Sequence, residues 1–170
     1  MILHSQKRLF GKGCNVSLFT LGTMRATEDL DKMYLLIKSA HHAGINHLET
    51  AASYGKAETL IGEALEKLET SDKIIRKKWI ITTKILPKGD FNYLKKNFEI
   101  SLANLKLNRI NNLAIHGINL EEHLDWVLNG DGGEFLKWVI KKGLVDQIGF
   151  SSHGSYSLIE KSINCDLFSF

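Results

Sequence analysis

Proline occurs once in the 170 residues, at Pro87, and no stretch rich in Gly, Ser and Pro interrupts the chain. Linkers and breakers of that kind are what divide a sequence into units, so residues 1–170 read as one domain or part of one. Cysteine is almost as scarce. Cys14 and Cys165 stand far apart with no metal-type spacing, which argues against a disulfide framework and a cysteine–zinc cluster and fits reduced thiols in a cytoplasmic protein. No apolar run is long enough to span a bilayer, and no early stretch resembles a signal peptide, so no membrane partner is expected. A strong charge imbalance is also missing. The net charge of +3 is too small to argue for nucleic acid, and the basic clusters 76–78, 95–96 and 141–142 are short and read as solvated faces near helices. The apolar and charged fractions, 44% and 24%, are ordinary for a globular chain that buries a core.

What the sequence does have is a regular alternation. Two short runs, Lys7 to Phe10 and Asn15 to Leu18, flank Gly11-Lys-Gly13 and predict a hairpin. Phe19 to Thr23 predicts a strand. Asp29 to Ala43 has helical periodicity, with Met33, Leu36, Ile37 and Ala40 on one stripe and Gly44 as the stop. Strand Ile45 to Glu49, helix Lys56 to Leu68, strand Trp79 to Lys84, helix Tyr93 to Leu105 and strand Asn112 to His116 follow. Leu120 to Leu128 predicts a helical insertion broken by Asp131-Gly-Gly133. Glu134 to Lys142 predicts a helix, Gln147 to Ser151 a strand, Ser155 to Ile163 a helix, and Asp166 to Phe170 the start of a sixth strand.

Alternation of strand and helix argues for an α/β fold with a parallel sheet and helices outside. Strand parity sharpens this, because alternate side chains face opposite sides. Ile81 and Thr83 oppose Thr82 and Lys84; Leu113 and Ile115 oppose Asn112, Ala114 and His116; Ile148 and Phe150 oppose Gly149 and Ser151. One face suits helix packing, and the other ends in a reactive residue. Those ends recur: Glu49 to Lys84 is 35 residues, Lys84 to His116 is 32, and His116 to Ser151 is 35. Chemical groups gathered at the carboxyl ends of regularly spaced parallel strands are the arrangement of a (β/α)8 barrel active site.

The stretch from Gly44 to Gly55 concentrates that pattern. A strand delivers Glu49, and after the small residues Thr50, Ala51, Ala52 and Ser53 a loop swings Tyr54 back towards it. Tyr54 alone is an ordinary loop tyrosine, and Lys84 alone an ordinary strand-end lysine. Their joint arrival at spaced strand ends is what singles them out.

These residues resemble the aldo/keto reductase family. Leu21-Gly-Thr-Met24 resembles its first-strand motif. Glu49-Thr-Ala-Ala-Ser-Tyr-Gly55, with Glu58 and Gly62, resembles its Asp-Thr-Ala-x-x-Tyr-Gly signature. Ile81-Thr-Thr-Lys84 resembles its lysine strand, Ile110 to His116 its histidine strand, and Gly143-Leu-Val through Gly149-Phe-Ser151 its fifth-strand motif. Leu113 to Asn119 and Asp131-Gly-Gly133 are most similar to a branch that often carries a carboxyl-terminal iron–sulfur domain, whose cysteine cluster is absent from these 170 residues. The resemblance implies a (β/α)8 TIM barrel, of which the chain would supply about six strands and an N-terminal hairpin; eight strands need roughly 250 residues. Two departures stand out: Glu49 where the family usually has aspartate, and the family's phosphate-binding loops, which would fall beyond residue 170.

The resemblance also implies a chemistry. NADPH would supply hydride to an aldehyde or ketone, and Tyr54 would protonate the developing alkoxide. A phenol is a weak acid, and a neighbouring ammonium favours its ionised form; Lys84 would be that ammonium, held by Glu49. His116 would hydrogen-bond the carbonyl oxygen. Ser151 and Ser152 would grip the nicotinamide amide, over a floor of Gly22, Thr23 and Met24. Open sheet edges lead to the expectation of self-association, and missing phosphate loops to weak NADPH binding. Two other readings are a catalytically inactive remnant of the fold, and a metal-dependent hydrolase using Glu49, His116 and His153 that would leave Tyr54 and Lys84 idle. His47 reads as a hydrogen-bonded core residue; His41, His42 and the three tryptophans read as surface or packing.

Overall fold

The alternating pattern folds as one parallel sheet of five strands in chain order, with helices packed on it, in a computed structural model that describes residues 6–26, 28–74 and 76–170. A separate antiparallel hairpin, β1 (Lys7–Phe10) and β2 (Cys14–Ser17), precedes it. The order is then β3 (Leu21–Gly22), α1 (Leu30–His42), β4 (His47–Glu49), α2 (Ala57–Ser71), a 3₁₀ turn (Arg76–Lys78), β5 (Ile80–Ile85), α3 (Phe91–Leu105), β6 (Ile110–His116), α4 (Glu121–Asn129), α5 (Asp131–Lys141), β7 (Val145–Ser151) and α6 (Tyr156–Ile163). β3 and β7 are the two edges.

Local signals account for three of the helix starts. Asp29, Asp90 and Ser155 are N-caps whose side chains accept from the amides of Lys32, Tyr93 and Leu158. Each satisfies an amide that a first helical turn leaves free. The expected helices exist with ends moved by at most three residues. One boundary differs in kind. Asp131-Gly-Gly133 does not break a helix; it is the first turn of α5, and the break is Gly130. The glycines are there for close approach. A Cβ at Gly132 would lie 2.4 Å from the Trp126 ring, and one at Gly133 would lie 2.2 Å from the Val127 carbonyl oxygen.

The core lies between the sheet and its helices. Leu48, Ile81, Leu113 and Ile115 point to it from the strands, against Met33, Ile37, Ile61, Leu65, Phe98 and Phe135. Burying one such side chain stabilises by about 1.5–3 kcal/mol. Parity holds at the opposite face, where the side chains are polar yet almost as buried. His47 Nδ1 is 2.9 Å from Thr20 Oγ1, and its Nε2 is 2.8 Å from Thr82 Oγ1. Asn112 Nδ2 donates to Thr82 Oγ1 (2.9 Å), and Gln147 Nε2 donates to Asn112 Oδ1 (2.8 Å). The belt ends on the hairpin. Gln147 Nε2 also donates to Phe10 O (3.1 Å), and Lys12 N donates to Gln147 Oε1 (2.9 Å). Gly11, at φ +58°, makes this contact possible, since a Cβ there would sit 2.2 Å from Gln147 Oε1.

The expected sixth strand extends the sheet by only two backbone hydrogen bonds: Ser169 N to Ile148 O (2.7 Å) and Phe150 N to Phe170 O (3.2 Å). Asp166, at φ +58°, turns the chain immediately before it. Phe168 then packs on Phe150, and Phe170 on Phe10, with ring centroids 4.8 Å apart in both pairs. Among the described residues no helix is long and apolar enough to cross a membrane.

Candidate active site

Glu49, His116 and Ser151 are the last residues of β4, β6 and β7, and Lys84 is the next to last of β5. Because the strands are parallel and adjacent, their side chains gather at one rim. Tyr54 reaches the same rim from the loop after β4. That loop is tied by its backbone: Thr50 N donates to Thr82 O (2.9 Å), Ala52 N to Lys84 O (3.0 Å), and Tyr54 N to Ala51 O (3.0 Å).

Lys84 is the centre of the arrangement. Its ammonium is ion-paired with Glu49 Oε1 at 2.6 Å and donates to the Thr50 carbonyl at 3.1 Å and to the Tyr54 hydroxyl at 3.4 Å. Three oxygens surround it, one each from Glu49, Thr50 and Tyr54. Lys84 itself is buried, which a cation tolerates only when paired and hydrogen-bonded.

A second contact lies beneath this one. Glu58, in the first turn of α2, is buried and accepts from Thr83 Oγ1 at 2.6 Å. It pins the start of α2, and with it the Tyr54 loop, to the strand that carries Lys84.

His116 stands edge-on to Tyr54, with ring centroids 5.5 Å apart and planes at 84°. Its Nδ1 is 3.0 Å from Ser53 Oγ. Burial, and then the Lys84 ammonium, push its pKa below the ordinary imidazole value, against an opposing pull from Glu49. His116 is therefore neutral near pH 7.

The expected cofactor residues divide into two groups. Gly22, Thr23 and Met24, with Arg25, line an open cleft of about 290 Å³ bordered by Glu49 and Tyr54. Thr23 is fixed there by its amide (3.1 Å) and hydroxyl (3.0 Å), both donating to Glu49 O. Ser151 and Ser152 lie instead beside the loop after His116. Ser151 Oγ accepts from Gly117 N (3.1 Å). Ser152 Oγ donates to Ile118 O (2.5 Å) and accepts from Gly154 N (2.9 Å).

Three participants were not among the expected site residues: the Thr50 carbonyl, Ser53 and Arg25. Thr50 and Ser53 lay inside the signature stretch but read there as small spacers. Their partners, Lys84 and His116, are supplied by later strands. No cluster of three His, Cys, Asp or Glu side chains able to hold a metal ion is found among the described residues.

The described rim can hold a carbonyl oxygen between a phenol and a neutral imidazole, with a buried ammonium behind the phenol. A family profile for the aldo/keto reductase family matches residues 19–165. The 6-dehydroglucose reductase of Novosphingobium aromaticivorans is 35% identical over 102 residues, which cover 52% of this chain and 32% of that protein. A provisionally assigned aldo-keto reductase structure from Pseudomonas aeruginosa is 26% identical with a TM-score of 0.79, over 96% of this chain and 65% of that one. The Bombyx mori aldo-keto reductase in complex with NADP shares the fold at 20% identity and a TM-score of 0.75, over 97% of this chain and 56% of that one. The chain thus spans about a third of its curated relative and less than two thirds of these structural neighbours.

Proposed function

The chain belongs to the aldo/keto reductase family, and on that premise we propose that it carries the proton-donating site of an NAD(P)H-dependent carbonyl reductase, with NADPH as the expected cofactor. The observation that carries the reading is Lys84, buried and shared between Glu49 and Tyr54.

Tyr54 is the acid. Its hydroxyl gives a proton to the oxygen of an aldehyde or ketone as that oxygen becomes an alkoxide. The buried Lys84 ammonium stabilises the charge left on the phenol oxygen. Glu49 holds Lys84 in place and offsets its charge. His116, neutral and set edge-on to Tyr54, donates a hydrogen bond to the carbonyl oxygen and fixes its orientation.

The residues present fit the nicotinamide end of such a cofactor. The Gly22–Met24 floor adjoins Tyr54, and a Cβ at Gly22 would meet nothing within 4 Å, so the cleft is open there. When bound, the cofactor supplies hydride to the carbonyl carbon. Gly22, Thr23 and Met24 would support it, and Ser151 and Ser152 would approach it from the far side of His116.

The test is reduction of a reactive aldehyde by the protein that carries these residues, followed through loss of the reduced cofactor. Tyr54→Phe keeps the ring against His116 and removes the acidic hydrogen. Turnover is expected to fall by about a hundredfold to ten-thousandfold, the usual contribution of a general acid, with cofactor affinity unchanged. Equal turnover in both proteins would reject the reading.

A further inference from the structure

We propose that Asn119 is a positioning residue for cofactor binding: its side-chain oxygen holds the loop after β7 in place, so that Ser151 can reach the nicotinamide carboxamide; the cofactor consequence rests on the reductase reading above. The β6–β7 ladder ends at the pair His116 and Ser151. Beyond it both strands become loops, and their main-chain groups need other partners. Three side chains supply them across the gap. Ser151 Oγ accepts from Gly117 N (3.1 Å), Ser152 Oγ donates to Ile118 O (2.5 Å), and Asn119 Oδ1 accepts from His153 N (2.7 Å). A fourth bond, Ile118 N to Ser151 O (2.8 Å), runs between main chains. Residues 117–119 are thus zipped to residues 151–153, and Asn119 makes the last tie of the row, 34 positions from its partner.

The sense of these bonds is fixed by their main-chain partners. A main-chain N–H can only donate, so the Asn119 atom that meets His153 N is the side-chain oxygen. Ile118 O can only accept, so the Ser152 hydroxyl must donate to it, while Gly154 N donates to the same Ser152 oxygen at 2.9 Å. The hydroxyl hydrogen of Ser152 is therefore used inside the loop. Ser151 Oγ accepts from Gly117 N, and among the described residues its own hydrogen has no acceptor. Of the two serines expected at the carboxamide, Ser151 is the one with a hydrogen to give it. Asn119 and Ser152 act through the loop and do not touch the cofactor. Without the Asn119 oxygen, the His153 amide has only water, and Ser152 alone ties the far end of the loop to the loop after β6.

The experiment is amide hydrogen exchange by NMR on protein labelled with ¹⁵N-histidine, without cofactor or substrate. His153 reports the tie, and His47 in β4 and His116 in β6 serve as controls. The His153 amide is expected to be protected although its residue is exposed. Asn119→Ala should speed its exchange roughly three- to tenfold, the worth of one neutral hydrogen bond. Asn119→Asp, which keeps an acceptor, should preserve the protection, and the controls should not move in either variant. Asn119 is exposed, so its truncation leaves no cavity. In aldehyde reduction, Asn119→Ala should raise KM for the reduced cofactor by about the same factor with kcat unchanged, and Asn119→Asp should recover it. An unprotected His153 amide, exchange unaltered in Asn119→Ala, controls that speed up with it, or an unaltered cofactor KM overturns the proposal. The exchange arm needs no turnover, so failure of the loop tie is distinguishable from failure of the reductase reading, which Tyr54→Phe decides.

Discussion

Lys84 and Glu49 are bonded at 2.6 Å but sit in different surroundings: the lysine side chain is 7% exposed and the glutamate side chain 40%. The cation is the buried partner, and the carboxylate reaches in from the rim. Removing either one therefore has unequal consequences, because water can replace lysine at the carboxylate far more easily than it can replace the carboxylate at lysine.

Lys84→Met should abolish most aldehyde reduction while costing little stability, because Glu49 can rehydrate. Glu49→Leu should do the reverse in part, destabilising by about 1–3 kcal/mol through a buried donor left unmet. Glu49→Asp keeps the charge and should hold turnover within about threefold if the carboxylate only positions Lys84. Urea midpoints and steady-state kinetics on the three variants check the set; a Glu49→Asp variant as damaged as Glu49→Leu would give the extra methylene a role of its own.

Stability should fall on mild acidification because of His47. Burial lowers its pKa from 6.5 to about 4, with smaller opposed effects of Glu49 and Lys84. Between those values the unfolded chain binds a proton that the folded chain does not. The contribution of His47 is therefore complete above about pH 6.5 and is lost as the pH drops towards 4, to a limit of about 3 kcal/mol at ~1.4 kcal/mol per unit. Denaturant midpoints at pH 7.5 and 4.5 should differ more for the unsubstituted chain than for His47→Gln. Equal differences would remove His47 as the cause.

Gly62→Ala should destabilise by about 1–3 kcal/mol, the usual range for overpacking. A Cβ at Gly62 would lie 2.2 Å from the Asn104 carbonyl oxygen and 2.9 Å from the Leu105 carbonyl carbon, both main-chain atoms that cannot turn aside. α2 would have to move away from α3. Since α2 begins just after Tyr54, site geometry should suffer with stability. A calorimetric Tm unchanged from that of the parent would count against this packing.

The 170-residue chain should self-associate. β3 is an unpaired edge two residues long, and Phe19, just before it, is 65% exposed. Exposed edges and apolar residues of this kind promote chain-to-chain pairing. Sedimentation velocity at tens of micromolar should show dimers or larger species, reduced by Phe19→Lys. A single monomeric boundary would dismiss the proposal.

Much of the site was legible because parity and helix stops act over short distances. Glu49, Lys84 and His116 could be placed at strand ends from spacing alone, and the inner face of His47, Thr82 and Asn112 followed from the same alternation. Relations between distant segments were not legible. Ser53 reads as a spacer until β6 brings His116 beside it. Asp131-Gly-Gly133 reads as a break because glycine weakens helices, whereas here its lack of a side chain lets α5 cross Trp126 and Val127 closely. The last five residues have strand-like composition, but Asp166 turns the chain and Phe168 and Phe170 are drawn into aromatic contacts instead.

The hairpin's grip on Gln147 gives the molecule an order of assembly. Phe10 and Gln147 are 137 positions apart, so the floor of the sheet joins segments far apart in the chain. A two-stranded hairpin is marginal alone, and contacts of such long separation are late rewards for chain closure. On a ribosome adding about 5–20 residues per second, the hairpin waits on the order of ten seconds for its receptor. Until then Phe10 can meet His47 but not Phe170, the two rings on which it packs in the folded chain. The contact that ties the hairpin to the polar belt is therefore a late one, and the interval before it forms is when the nascent chain is most open to capture by other chains.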